Sequence, residues 1–101
     1  MPFSELIPHP LTSGGVRVYA PTAAGVYGIS NSREWIYIGQ SDNIQGTLLD
    51  HLQDAQAAPM KRGPTGFVYE LCTGVHRSQR QNRLVQEYGP VCNRAADRPL
   101  R

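Results

Sequence analysis

Long apolar runs are missing from this chain of 101 residues. None approaches the ~18 consecutive apolar residues that a membrane span needs, so no membrane association is expected. Cysteine is scarce: Cys72 and Cys92 stand far apart, with no CxxC spacing and no histidine pair beside them. That pattern supports neither a zinc site nor a disulfide framework, and both read as buried, reduced thiols. The opening Met-Pro-Phe-Ser-Glu lacks the basic-then-apolar build of a secretory leader, so a cytoplasmic protein is expected. Charge is sparse too, at 18% of residues with a net of +2, a balance that does not by itself indicate nucleic acid. There is no internal repeat and no low-complexity tract.

What is present suffices for one small globular domain. Hydrophobic residues make up 40% of the chain, and ~100 residues leave no room for a second core. The charge is uneven: residues 76–101 hold six arginines against Glu87 and Asp97, a net of +4, which leaves the remainder acidic by two. A mildly basic C-terminal third suits phosphate contacts, with Arg77, Arg80 and Arg83 as candidates.

The organising stretch is Gly25-Val26-Tyr27-Gly28-Ile29, a polar Ser-Asn-Ser-Arg-Glu break, then Trp35-Ile36-Tyr37-Ile38-Gly39-Gln40-Ser41. Two β-branched and aromatic segments around a short polar break predict a hairpin. Strict alternation along the second strand predicts Trp35 and Tyr37 on one face, with Ile36 and Ile38 on the other. Pairing brings Tyr27 and Tyr37 to one surface, beside glycines that permit close approach.

Around this hairpin the elements follow from spacing. Residues 1–22 carry four prolines and Gly14-Gly15, which forbids a long helix; they read as an arm with an edge strand over residues 16–19 and an exposed His9. Ser41 or Asp42 is expected to cap a helix over residues 43–56, with Ile44, Leu48, Leu52 and Ala55 as its buried stripe and Thr47 and His51 on or beside it. A loop over residues 57–66 leads to a third strand over residues 67–72. A second helix over residues 76–88 ends at Gly89-Pro90 and places Gln81 on its packing face. Residues 94–101 read as a tail. The result is an α+β domain, β-β-α-β-α, built on a small three-stranded antiparallel sheet flanked by helices.

The pair Gly25-Val26-Tyr27 and Tyr37-Ile38-Gly39, followed by Ser41, Ile44, Leu48, His51 and, far downstream, Leu84, Val85, Tyr88, Pro90 and Asn93, resembles the signature of the GIY-YIG nuclease family over residues 23–93. The resemblance implies a phosphodiester-hydrolysing site built from the motif tyrosines, an arginine and polar residues on the first helix, a metal-holding glutamate on the later helix, and an asparagine after it. Tyr27 and Tyr37 match the motif tyrosines, His51 a histidine found in part of the family, and Asn93 the asparagine. Two positions depart from the pattern. Thr47 stands where the family has its arginine, and Gln81 where it has its glutamate.

Those departures are electrostatic. Threonine is uncharged and too short to reach a phosphate from the helix, and glutamine lacks the anionic charge that a hard divalent cation favours. Losing one such element commonly costs orders of magnitude in rate. The sequence therefore predicts a catalytically degenerate relative that binds DNA or RNA and needs no cofactor. Two rivals stay open. One is a divergent magnesium-dependent endonuclease that recruits Asp50, His51 or Glu87. The other is a protein-interaction or scaffold domain, in the simplest case a homodimer.

Overall fold

The computed structural model describes residue 3, residues 7–54 and residues 58–93. In chain order it contains β1 (His9–Pro10), α1 (Ser13–Tyr19), β2 (Gly25–Ser30), β3 (Trp35–Ser41), α2 (Ile44–Gln53), α3 (Ala58–Lys61), β4 (Gly66–Leu71), α4 (Val75–Tyr88) and a 3-10 turn at Val91–Asn93. The sheet is antiparallel, in the order β1-β4-β2-β3. It has four strands where the sequence suggested three. The extra strand pairs His9 with Phe67 and Pro10 with Gly66, and a two-residue edge strand tolerates proline because its outer side needs no donor.

The central strand β2 is buried at all six positions, as a strand flanked on both sides and covered on both faces must be. One face packs Tyr27, Ile29, Ile36 and Phe67 against Val16 of α1 and Ile44 and Leu48 of α2. The other packs Val26, Ile38 and Val68 against Leu84 of α4 and against Phe3. Burying each such large side chain contributes about 1.5–3 kcal/mol. Two helices on one face and one on the other thus hold the sheet between them.

Asn31 sets the hairpin. Its Oδ1 accepts the backbone N–H groups of Arg33 (2.8 Å) and Glu34 (2.9 Å), a turn that an asparagine side chain supplies locally. Beyond it the register slips: Ile29 pairs with Tyr37 but Ser30 with Trp35, so Ile36 is the extra residue of a β-bulge. The bulge overturns the expected alternation. Trp35 stacks on Phe3 and meets the Tyr88 ring at a tilt on the α4 face, whereas Tyr37 lies with Tyr27 and Ile36 on the face covered by α2.

Residues 16–19 form a helix and not the expected strand. Thr12 caps it, its Oγ1 accepting the N–H of Gly15 at 2.9 Å. Val16 is buried while Val18 is 73% exposed, a one-sided burial that a strand with both valines on one face cannot give. Gly15 is required because a Cβ there would run into the Pro10 carbonyl. His9 is half-buried, stacked on Tyr19 at 4.6 Å, and so is not the exposed residue its prolines suggested.

The cap of α2 is Asn43, one residue beyond the two candidates; its Oδ1 accepts from Gly46, and Ser41 Oγ accepts from the Asn43 N–H instead. A Cβ at Gly46 would press on the Asn43 side chain at 2.9 Å, so this glycine clears the cap. The helix ends at Gln53; the remainder of its expected span, residues 55–56 with Ala55 of the predicted stripe, lies outside the described residues, as does the tail over residues 94–101. The expected loop contains the short helix α3. Gly89, in the left-handed region at φ 56°, ends α4 as anticipated. Cys72 and Cys92 are thiols, each only partly buried. Among the described residues no helix is long and apolar enough to cross a membrane.

Candidate functional site

The two motif tyrosines converge, as the hairpin predicts, and His51 of α2 joins them. Tyr27 is 2% exposed, and its hydroxyl lies 2.9 Å from His51 Nε2. Among the described residues the phenol proton has no other acceptor, so we assign Tyr27 as donor to an unprotonated Nε2. The surroundings agree: burial, then the neighbouring Tyr37, pushes the Tyr27 phenol well up. Burial likewise holds His51 below its ordinary value, against the opposing pull of Asp50 and Asp54. Tyr37 is half-buried, its ring 6.1 Å from Tyr27 and 6.0 Å from His51. Gly39 makes this packing possible, since a Cβ there would come within 2.6 Å of the Tyr27 hydroxyl and 2.7 Å of the Tyr37 ring.

At the outer edge of β3 a second constellation consists of amides. Asn93 grips Ile38 twice, its Oδ1 accepting the Ile38 N–H at 2.7 Å and its Nδ2 donating to the Ile38 carbonyl at 2.9 Å. Gln81 donates from Nε2 to the same carbonyl at 3.1 Å and accepts at Oε1 from Gln40 at 2.7 Å. The amide orientation follows from these partners, since a carbonyl at Ile38 needs a donor. An edge strand that would otherwise offer unpaired groups is thereby closed at Ile38 by side chains.

The three arginines grouped by sequence part company. Arg80 forms a fork with Glu70, at 2.6 Å from Nε and 2.8 Å from Nη2, and the pair is largely enclosed. Arg83 is exposed. Arg77 reaches away from α4 to the turn before α2, where it meets Gln40, Ser41 and Asp42. Thr47 bonds the Ser41 hydroxyl at 2.6 Å. Gln40 was not singled out by the sequence and Asp42 only as a helix cap, and nothing but their place next to Tyr37-Ile38-Gly39 marks them for this contact.

The same architecture occurs in solved structures. The GIY-YIG N-terminal endonuclease domain of UvrC from Thermotoga maritima, bound to its catalytic divalent cation, magnesium, superposes with a TM-score of 0.62 over 74% of this chain and 91% of that one, at 20% identity. A point mutant of that domain, also bound to its catalytic divalent cation, gives 0.63 over 85% and 96%, at 18% identity. This chain has a GIY-YIG-like fold. No protein-family model matches the sequence, and comparison with curated proteins finds no relative.

Within that GIY-YIG-like frame the donor set fits a divalent cation poorly. Gln81 has both ends engaged, by Ile38 and Gln40, and supplies no negative charge. Among the described residues no three His, Cys, Asp or Glu side chains cluster to hold a metal. Asp50 and Glu87 are exposed, and Asp50 acts on His51 through its charge. Neutral oxygens with prior partners do not meet the preference of magnesium for anionic oxygen ligands.

Proposed function

We propose that this domain binds nucleic acid without cutting it, on a GIY-YIG-like scaffold whose hydrolytic electrostatics are gone. The observation that carries the reading is Gln81, locked between Ile38 and Gln40 where the family resemblance calls for a metal-holding carboxylate. Thr47, hydrogen-bonded to Ser41 in the arginine position, removes the second element. A scissile phosphate would meet neither a cation to neutralise its developing charge nor a guanidinium from α2. Nucleic acid as partner is supported by the endonuclease name of the structural neighbours and by Arg77 and Arg83 of α4. The domain needs no cofactor for this role, and two thiols without a disulfide suit the cytoplasm.

A binding assay at low salt with single-stranded and duplex DNA and RNA, with magnesium or manganese present, tests the reading. Salt-sensitive binding with intact nucleic acid is expected. The double substitution Thr47→Arg with Gln81→Glu is expected to bring metal-dependent nicking. Cleavage of a plasmid by the unmodified protein overturns the inactive reading. Absence of binding to every nucleic acid overturns the partner and turns attention to a protein-interaction role.

One observation favours the active alternative: the unprotonated His51 Nε2 beside the Tyr27 hydroxyl keeps a proton acceptor in the site. Cleavage that is lost in Tyr27→Phe would establish it.

A further inference from the structure

The structure assigns to Arg77 the phosphate contact that Thr47 cannot make, with the Asp42 carboxylate standing in place of the phosphate in the unbound protein. This inference rests on the nucleic-acid-binding reading and names the group that carries it.

Position comes first. Ser41 is shared: its hydroxyl bonds Thr47 Oγ1 at 2.6 Å and its carbonyl accepts from Arg77 Nη1 at 3.0 Å. A guanidinium that originates on α4 therefore lies one residue's breadth from the side chain in the arginine position of α2. Helix-terminal amides cannot serve instead. The N–H groups of Ile44, Gln45, Gly46 and Thr47 are taken by Ala23, Pro21, the Asn43 side chain and the Asn43 carbonyl.

Charge comes second. Nε of Arg77 donates to Gln40 Oε1 at 3.0 Å, and with Ser41 this makes two neutral acceptors that fix the fork without neutralising it. The carboxylate on it, at 2.6 Å from Nη1, is Asp42, whose side chain is 90% exposed. The pair is open on the Asp42 side, the Arg77 side chain being 21% exposed; an ion pair with one partner in solvent is screened by salt and contributes about 1 kcal/mol, so a polyanion competes with that carboxylate at little cost. Nη2 makes no hydrogen bond among the described residues and completes a two-pronged contact of the kind arginine offers phosphate. Arg80 is the internal contrast, because its fork is spent on Glu70 in an enclosed pair.

Binding of a fluorescent single-stranded DNA and of a duplex, followed by anisotropy across a salt series, tests the assignment. Asp42→Asn is expected to tighten binding about threefold or more at low salt, since it removes the competing charge. Arg77→Gln is expected to weaken it about tenfold and to lower the salt slope by about one, while Arg80→Gln leaves the slope unchanged. In the double variant Asp42→Asn with Arg77→Gln, the gain from Asp42→Asn disappears. If the wild type binds and Arg77→Gln keeps its affinity and slope, the assignment falls and the binding reading stands. If neither the wild type nor Asp42→Asn binds any nucleic acid, both fall. Should Arg77→Gln lose its fold by circular dichroism, Asp42→Asn alone decides, because that side chain projects into solvent; unchanged or weaker binding by it overturns the assignment.

Discussion

The two sides of β3 differ in the kind of chemistry they hold. On the α2 side, Tyr27, Tyr37 and His51 keep a hydrogen-bonded aromatic cluster with one titratable imidazole. On the outer edge, Gln81, Asn93 and Gln40 form a network of amides with no formal charge, closed on the backbone of Ile38. The family resemblance calls for both sides: Tyr27, Tyr37 and His51 match it on the first and Asn93 on the second, while Thr47 and Gln81 depart from it. Tyr27 and Tyr37 also pack in the core beside Ile36, Ile44 and Leu48. A buried carboxylate without its cation has no such second use and is costly to keep.

Breaking the amide edge is expected to give the largest effect. Asn93→Ala leaves the Ile38 N–H without its partner and removes two hydrogen bonds in a buried setting, a loss of about 3 kcal/mol readable from urea unfolding, with faster amide exchange at Ile38. Gln81→Glu comes next, because a carboxylate cannot donate to the Ile38 carbonyl. It is expected to cost about 2 kcal/mol at neutral pH. The introduced acid has a raised folded-state pKa, so the cost grows as pH rises through that value and vanishes below the unfolded value of about 4.3. A thermal melt at two pH values, with and without magnesium, checks both the sign and whether a cation relieves it.

The aromatic side is expected to respond less. Tyr27→Phe removes one hydrogen bond, about 1 kcal/mol, and frees Nε2, so the His51 titration followed by NMR moves up. In the wild type the folded His51 binds protons less readily than the unfolded one. Its contribution is therefore complete above the unfolded pKa of about 6.5 and is lost as pH falls through the lower folded value. A flat stability profile through that window would mean that the imidazole is not held neutral. Smallest is Asp42→Asn, at most about 1 kcal/mol, since its side chain is 90% exposed and it loses only a screened ion pair.

Much of the scaffold was legible because its signals are local. β-branched and aromatic runs around an asparagine turn gave the β2–β3 hairpin, apolar spacing gave α2 and α4, and Gly89-Pro90 gave the stop. β1 and α1 were missed because the first depends on pairing with β4, more than fifty residues away, and the second on a threonine cap and on Gly15 fitting against Pro10. The bulge at Ile36 was missed because alternation assumes an unbroken ladder.

Residue type by residue type, the sequence settled what this domain has to work with: two tyrosines and a histidine on neighbouring elements, and neutral side chains at positions 47 and 81. Tertiary structure alone decided how those groups are spent. It brought Asn93 and Gln81 onto the backbone of Ile38, paired Arg80 with Glu70, and carried Arg77 across to Ser41 and Asp42. Except for the ten-residue span between Arg80 and Glu70, each of these contacts joins residues more than thirty positions apart. Hydrogen-bond partners at such separations are chosen by the packing of helices on a sheet, not by any local preference of the chain.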